Sequence, residues 1–168
     1  ALSALTILPV VSTQGFGATQ TSMLLLRQVI GILPMLGALL LLTFTQTKFK
    51  SYTKSIGLFV LLLSVSAVVE NSMWWHVDSL AFFFCALVIF YLDKDDQRYG
   101  RDFYLAAAST GLAAGVKVIG FFFVLAIPAY LLLGILQNKL TWPAAVQRAA
   151  AFVGIMFAVI FIANPFMV

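Results

Sequence analysis

The sequence predicts an all-α protein, a polytopic transmembrane helical bundle of about six to seven spans that include short and broken helices. Apolar residues make up 62% of the 168 positions, charged residues only 10%, and the mean hydropathy is +1.05. A chain this apolar has too few polar groups to cover a water-soluble globule. Several separate apolar runs approach the ~20 residues that cross ~30 Å of hydrocarbon, and alternating strand patterns are absent. We therefore expect one transmembrane domain over residues 1–168.

The first 44 residues predict one full span after an ambiguous start. Residues 1–11 are apolar but short and contain Pro9, so we leave them unassigned. Residues 23–44 have the length of a complete span, with Arg27 near its beginning and Pro34 midway, where a kink is expected. The chain begins with Ala and lacks the pattern of a signal peptide. We expect it to be part of a longer membrane protein.

The distribution of basic residues predicts the orientation. Eight of the ten lie in three segments, residues 48–54, 93–102 and 137–148. Short loops rich in Lys and Arg stay on the cytoplasmic side, so all three segments are predicted to be cytoplasmic, and residues 93–102 are expected to form a solvated loop. The crossings between them then place Arg27 and Lys117 on the extracytoplasmic side. No basic and aromatic pattern suggests nucleic acid, so the excess charge is assigned to topology.

The remaining apolar runs are of unequal length. They are residues 55–69, 79–92, 103–116, 118–136 and 149–163. The runs 79–92 and 103–116 have 14 residues each, or ~21 Å of helix, which is short of the hydrocarbon thickness. Small residues from Ala106 to Gly115 favour close helix packing. These features predict a recessed cavity that opens to the extracytoplasmic side.

The stretch from Glu70 to Leu80 is the first candidate for a functional site. It places two acids, a tryptophan pair and the only histidine between two apolar runs, where ionisable groups are costly without partners or a function. Arg27 near a helix start and Glu70 at a helix end both oppose the expected helix dipole. Arg27 therefore calls for an anion, and Glu70 for a cation such as Lys117 or a divalent metal ion. No cofactor is certain beyond this candidate cation.

Four short motifs occur in an order that resembles a known family. Leu26-Arg27-Gln28-Val29 opens a span, His76-Val77-Asp78 opens a later one, residues 111–120 read Gly-Leu-Ala-Ala-Gly-Val-Lys-Val-Ile-Gly, and Asn164-Pro165-Phe166 comes near the end. This order resembles the central transmembrane part of GT-C glycosyltransferases of the dolichyl-phosphate-mannose protein mannosyltransferase type. The resemblance covers most of the chain, although each motif is short and degenerate.

The resemblance implies a membrane enzyme that moves a sugar from a polyprenyl-phosphate carrier to an acceptor at the extracytoplasmic face. The catalytic acid of that family lies in a first outer loop that no residue here matches, so the catalytic residues are unknown. The residues expected to contact the donor phosphate or the acceptor are Arg27, His76 and Lys117, and those expected to line or support the site are Glu70, Trp75, Asp78 and Asn164. The expected partners are the lipid-linked donor, membrane lipids, and other membrane subunits or the rest of a longer chain. The predicted location is a plasma or endoplasmic reticulum-type membrane.

Structural roles compete with each of these assignments. Asp78 before an apolar run suits a helix N-cap, and His76 and Trp75 suit an interfacial belt. Lys117 suits an anchor that neutralises a helix end. Cys85 in an apolar run suits a packing role, and one His with one distant Cys does not predict a zinc site.

A second class of function is a non-enzymatic subunit of a transport or energy-converting complex, with an ion or proton relay. A relay needs ionisable groups through the middle of the membrane, whereas the predicted spans are nearly uncharged and their charges gather at one end. The sequence therefore favours sugar transfer over a relay.

Overall fold

The computed structural model describes residues 2–15, 17–73 and 77–164, and these residues form helices and turns without a strand. This confirms the all-α class. Two of the described helices, Thr19–Thr47 and Trp142–Ala163, are long and apolar enough to cross a membrane. The chain divides into two compact units, residues 1–83 and 84–168, with the division inside one continuous helix.

The first unit contains more interruptions than the sequence predicts. Its elements are α1 (Leu2–Gln14), α2 (Thr19–Leu26), a π-helical segment (Arg27–Ile32), α3 (Leu33–Thr47), α4 (Tyr52–Leu63), α5 (Ser66–Met73) and the beginning of α6 (Val77–Asp95). The predicted span over residues 55–69 is two helices, α4 and α5, separated at Ser64 and Val65. The Ser64 hydroxyl donates to the Leu61 carbonyl at 2.7 Å. A serine that bonds to the backbone of the preceding turn competes with the helix ladder, which accounts for a break there.

A π-helical segment lies directly before Pro34. The Leu33 N–H donates to the Gln28 carbonyl, five residues earlier, instead of following the α-helical pattern. Pro34 has no N–H to donate, and its ring crowds the carbonyl four residues before it. A wider turn at this place is one of the recognised causes of a helix bend. The irregularity predicted at Pro34 therefore occupies the turns before the proline.

A tight turn joins α3 to α4. Lys48 and Phe49 adopt left-handed backbone conformations, with φ of 47° and 52°. The Lys48 N–H donates to the Phe44 carbonyl at 2.7 Å, and the Ser55 hydroxyl bonds to the Thr47 hydroxyl at 2.9 Å. These bonds satisfy polar groups at the helix ends, so α3 and α4 form an antiparallel pair.

The second unit contains the rest of α6 and four further elements. These are α7 (Arg101–Val116), a 3-10 helix (Val118–Leu125), α8 (Ala126–Leu136) and α9 (Trp142–Ala163). α6 has 19 residues and α7 has 16, which correspond to ~28 Å and ~24 Å. The prediction that α6 is much shorter than the membrane thickness is therefore wrong, because polar residues at both of its ends continue the helix.

Small residues bring α7 and α9 into close contact. A Cβ atom on Gly111 would lie 2.6 Å from the Met156 carbonyl oxygen, and one on Gly115 would lie 2.7 Å from the Asn164 side-chain nitrogen. The contact positions advance together along both helices, so α7 and α9 run parallel. The sequence predicted close packing of this small-residue run, and the structure confirms it.

The segment from Val118 to Leu136 returns antiparallel to α7. A Cβ atom on Gly120 would lie 2.4 Å from the backbone of Ala113 and Ala114, while Gly134 lies against the Tyr99 ring. Between these points the unit buries its largest side chains. The core comprises Val88, Tyr99, Phe103, Ala106, Ala107, Ile127, Leu131 and Phe152.

Candidate functional site

Arg27 begins the π-helical segment and is half-buried. The sequence predicted that Arg27 lies in the first turns of its helix. This prediction is wrong, because the helix begins at Thr19, two turns earlier. The effect of the helix dipole falls off within one turn, so the argument that Arg27 opposes the dipole is wrong. What distinguishes Arg27 is its place at a backbone irregularity, a feature that recurs at functional sites.

The helices that contain Glu70 and Asp78, the two acids of the predicted site, lie close to one another in the first unit. α5, which contains Glu70 in its last turn, packs against the π-helical segment. The Ser79 hydroxyl donates to the Asn71 carbonyl at 3.2 Å, which holds the beginning of α6 beside α5. Asp78 lies in the first turn of α6 and is half-buried. The first unit therefore brings together the segments that hold Arg27, Glu70 and Asp78.

The two acids differ in their relation to the helix dipole. Asp78 was predicted as an N-cap, but α6 begins at Val77, so Asp78 lies inside the first turn. A carboxylate there is stabilised by the positive helix end. Glu70 is exposed and lies at the negative end of α5, as predicted, where a carboxylate gains from a nearby cation.

Lys117 and Asn164 mark the same end of the second unit. Lys117 is exposed and follows α7 in an extended conformation, with φ of −152° and ψ of 136°. Asn164 follows α9, donates from its side chain to the Ile160 carbonyl at 3.2 Å and packs against Gly115. The Lys117 backbone N–H donates to the Ala113 carbonyl at 2.9 Å, so the main chain of Lys117 and the side chain of Asn164 each satisfy a carbonyl at the end of a helix. The role of the Lys117 ammonium group, as anchor or as ligand, stays a prediction.

The basic loops of this unit lie at its opposite end. Gly134 near the end of α8 contacts Tyr99, and Arg148 bonds to the Tyr104 hydroxyl at the start of α7. The unit therefore has a basic end formed by residues 93–102 and 137–148 and another end that carries Lys117 and Asn164. This is the sorting of charges that the loop pattern predicted for the second unit.

Two of the predicted site residues, Trp75 and His76, fall outside the described residues. The cavity predicted to contain both Arg27 and Lys117 draws on both units and stays a prediction. Among the described residues, no group of three or more His, Cys, Asp or Glu side chains could hold a metal ion. Cys85 is buried, in agreement with a packing role.

A buried carboxylate at the basic end is the main feature that the sequence did not predict. Asp95 was expected in a solvated loop, but only 3% of its surface is exposed. It accepts hydrogen bonds from the Tyr99 and Gly100 backbone N–H groups and from the Tyr130 hydroxyl, each at 2.9 Å. Burial of a carboxylate is costly unless such bonds compensate it, and these three do so. Asp95 therefore fixes residues 96–100 to α8.

One sequence signal could have identified Asp95. It is followed by several polar residues and then by Gly100, and a carboxylate at the start of such a turn commonly accepts bonds from backbone groups a few residues later. Its third partner, Tyr130, is 35 residues away in the chain, and no local pattern predicts that contact. The nearby pair of Lys94 and Asp102, at 3.1 Å, lies on the surface as expected.

Comparison of the chain with protein-family models, with curated proteins and with solved structures found no match. The candidate function therefore rests on the residues and on their arrangement.

Proposed function

We propose that this chain is part of a multi-pass membrane glycosyltransferase that moves a sugar from a polyprenyl-phosphate carrier to an acceptor at the extracytoplasmic face. The observation that supports this most is the pairing of two motifs. Gly115 in the glycine-rich motif packs against Asn164, which opens the Asn-Pro-Phe motif. Two motifs that give the family resemblance, almost 50 residues apart in the sequence, thus share one end of the second unit.

The pairing of Gly115 with Asn164 supports Lys117 as the ligand of the donor phosphate. It comes two residues after Gly115 and lies at the end of the unit that faces away from its basic loops. The departing polyprenyl phosphate gains negative charge in the transition state, and an ammonium group nearby stabilises that charge more than the ground state. Arg27 at the π-helical segment is the second candidate ligand, and His76 the third.

The distribution of charge supports sugar transfer over an ion or proton relay. Residues 103–116 and 149–163, which make up most of α7 and α9, contain no Asp, Glu, Lys, Arg or His. A relay through these helices would need ionisable groups along their length. Charged groups gathered at the helix ends suit a site that holds an anionic headgroup near the membrane surface.

Substitution of Lys117 tests the proposed role. Lys117→Met keeps most of the side-chain length and removes the ammonium group. Loss of such a contact costs about 3 kcal/mol in the transition state, so we expect sugar transfer by the intact, membrane-inserted protein to fall about a hundredfold. The assay measures transfer from a polyprenyl-phosphate sugar. Lys54→Met, the same change at an exposed position in the first turn of α4, serves as the control and should leave transfer unchanged.

The outcome distinguishes a ligand from an anchor. An anchoring lysine would affect insertion or stability by about 1 kcal/mol and leave the chemistry intact. Near-normal transfer by correctly inserted Lys117→Met would therefore reject the ligand role. Transfer that is absent from the unsubstituted protein with every polyprenyl-phosphate sugar tested would reject the proposed function itself.

Topology is tested separately with single cysteines at positions 51 and 72. The distribution of basic residues predicts that these positions lie on opposite sides of the membrane. In sealed vesicles, an impermeant thiol reagent should label only one of the two from the outside, in a Cys85→Ser background that removes the only native thiol. Labelling of both from the same side would overturn the predicted topology.

A further inference from the structure

The turn between α3 and α4 carries positive charge that no nearby acid in the sequence offsets. Residues 48–54, named here the basic turn, contain Lys48, Lys50 and Lys54, and all three side chains are exposed. Residues 1–69 contain no Asp or Glu. The basic turn directly follows the helix Thr19–Thr47, which is long and apolar enough to cross a membrane. In a membrane it therefore lies at the level of the lipid headgroups.

The acids of the first unit lie at the other end of α3. Residues 1–83 contain two acids, Glu70 and Asp78. α5, with Glu70, packs against the π-helical segment, and the bond from Ser79 to Asn71 holds the beginning of α6, with Asp78, beside α5. The 15 residues of α3 separate the π-helical segment from the basic turn by ~22 Å. Exposed charges at such a separation are largely screened, so these carboxylates do not neutralise the basic turn.

Aromatic rings accompany the lysines. The Lys48 Nζ lies 5.6 Å from the centroid of the Phe44 ring, which fixes this ammonium group at the turn. The Phe44 ring meets the Phe49 ring edge to face, with their centroids 5.3 Å apart. Phe49 is 48% exposed and Tyr52 is 84% exposed. Exposed aromatic rings beside lysines are typical of segments that lie at a membrane interface, where one part contacts acyl chains and another contacts headgroups.

The backbone N–H groups of residues 48–50 are satisfied within the chain. Lys48 donates to the Phe44 carbonyl at 2.7 Å and Lys50 to the Thr47 carbonyl at 3.0 Å. Phe49 donates to the Thr47 hydroxyl at 3.2 Å. A site for one phosphate commonly uses free backbone N–H groups that point at the ligand. Here the lysine side chains supply the charge, and a lysine acts as a point charge without fixed direction. This favours a surface of many anions over one oriented phosphate.

The basic end of the second unit differs, because it contains acids as well. Residues 93–102 and 137–148 together contain five basic and four acidic residues. Lys94 and Asp102 pair at 3.1 Å, and Asp96 is exposed. The net charge is +1 over these 22 residues, against +3 over the seven residues of the basic turn. The second unit therefore provides a comparison in the same chain, where attraction of anions is expected to be weak.

We propose that the basic turn binds the anionic headgroups of phospholipids in the leaflet that it faces, with its lysines near the phosphates and Phe49 and Tyr52 beside the acyl chains. Lys54 lies in the first turn of α4, where a cation opposes the positive helix end and gains from an anion nearby. The proposal rests on the membrane location in the proposed function and not on sugar transfer. The basic turn lies at the other end of α3 from Arg27.

Quenching of tryptophan by brominated lipid tests the proposal at both places. One variant combines Tyr52→Trp with Trp74→Phe, Trp75→Phe and Trp142→Phe, so that the basic turn holds its only tryptophan. A second variant, with Trp74→Phe and Trp75→Phe, leaves Trp142 in the second unit. Each is reconstituted into phosphatidylcholine vesicles that contain increasing fractions of dibromo-acyl phosphatidylglycerol or dibromo-acyl phosphatidylcholine. Both leaflets have the same composition, so the orientation of the protein does not affect the result.

The expected result is selectivity at the basic turn alone. In the Tyr52→Trp variant we expect half-maximal quenching at an about fivefold lower fraction of the anionic lipid, the effect of one lysine that contacts a headgroup. For Trp142 the two lipids should differ by less than about twofold, because acids accompany the basic residues at that end. Raising the salt concentration to about 1 M shortens the screening length to about 3 Å and should reduce the selectivity at the basic turn.

Two triple variants, made in the Tyr52→Trp protein, assign the selectivity to the lysines. Lys48→Gln, Lys50→Gln and Lys54→Gln together should reduce it to less than twofold. Arginine at the same three positions keeps the charges and should retain the selectivity, which separates loss of charge from a fault in folding.

A matched control removes the same charge from the second unit. Arg98→Gln, Arg101→Gln and Lys139→Gln together change three exposed basic residues. The selectivity reported at the basic turn should be unchanged. Loss of selectivity in this variant would mean that the lipid responds to the charge of the whole chain, and would reject the basic turn as the binding surface.

Other results would also overturn the proposal. Equal quenching by both lipids at the basic turn would mean ordinary contact with bulk lipid. Equal selectivity at Trp142 would mean that the basic turn is not distinctive. Loss of selectivity in millimolar inorganic phosphate, at constant ionic strength, would mean that the turn binds a soluble anion. Absence of quenching by either lipid would mean that protein covers the turn. None of these results depends on sugar transfer, so the proposed activity stands or fails separately.

Discussion

The two units of this chain solve the packing of apolar helices in different ways. In residues 84–168, α7 and α9 are continuous and touch through glycines, as Gly111 does against the Met156 carbonyl, and the 3-10 helix lies between α7 and α8. In residues 1–83 the helices are interrupted, by the π-helical segment before Pro34 and by the break after α4. Close backbone contact produces a tightly packed core, whereas interruptions leave backbone groups that side chains can use. The comparison shows that helix packing in the second unit depends on glycines, which have no side chain. The shape of the helices in the first unit depends instead on residues that interrupt a helix, such as Pro34 and Ser64.

The largest loss of stability that tests this difference between the units is expected from a substitution at Gly120. Gly120→Ala places a Cβ atom 2.4 Å from the Ala113 and Ala114 backbone, which cannot move without separating the 3-10 helix from α7. Overpacking of this kind costs about 3 kcal/mol, so we expect a clearly lower thermal unfolding midpoint in detergent.

Gly57→Ala is the matched change in the first unit. Gly57 is exposed in the interior of α4, and no atom lies within 4 Å of its would-be Cβ. Alanine there should stabilise the helix by about 0.5–1 kcal/mol, because it restricts the unfolded chain. Equal and small effects of both substitutions would show that the units do not differ in backbone packing.

The next effect concerns the hydrogen bonds around Asp95. Tyr130→Phe removes the hydroxyl that donates to the Asp95 carboxylate and accepts from the Gln97 N–H. Hydrogen bonds to a charged group contribute about 1.5–3 kcal/mol, so we expect a destabilisation of about 2 kcal/mol by denaturant unfolding. Tyr52→Phe in the first unit, at a side chain that is 84% exposed, should change stability by less than about 0.5 kcal/mol. A Tyr130→Phe variant as stable as Tyr52→Phe would contradict the role assigned to Asp95.

Sequence patterns predicted the features that depend on local chemistry. Composition gave the all-α class, the run around Gly111 predicted close packing, and the loop lysines and arginines predicted which ends of α7 and α9 lie together. Helix limits were less predictable, since polar residues such as Asp78 and Asp95 continue α6 beyond its apolar run. That continuation removes the argument from short helices for α6, whereas α7, with 16 residues or ~24 Å, stays shorter than the ~30 Å of hydrocarbon.

The site was predicted only in part, for a physical reason. Glu70 and Asn164 lie at helix ends, as the pattern around them indicated, because termination depends on nearby residues. Arg27 was placed at a helix start because its apolar run begins close to it, whereas the polar residues 19–22 also fold into helix. The burial of Asp95 depends on Tyr130, which packs against it from another helix, and a contact of that kind leaves no periodic signal in the sequence.

The smallest expected effect appears at high pH and belongs to the second unit. Tyr99 is 4% exposed, and its hydroxyl has no hydrogen-bond partner among the described residues. Burial, and to a lesser extent the Asp95 carboxylate, raises the pKa of the Tyr99 phenol above its ordinary value of 10.0. Above about pH 10 the unfolded chain therefore loses this proton before the folded chain does, and the free energy of unfolding decreases as the pH rises.

Tyr99→Phe isolates this contribution. The substitution removes no hydrogen bond from the folded protein, so we expect little change in stability at pH 8 and a smaller loss of stability than in the unsubstituted protein between pH 10 and pH 11. The measurements are denaturant unfolding at each pH and absorbance titration of the phenolate near 295 nm. In the variant, the titration should show one tyrosine fewer among those that ionise above pH 10. Parallel loss of stability in both proteins would mean that Tyr99 ionises as readily folded as unfolded, and that the contact with Gly134 does not exclude water from its hydroxyl.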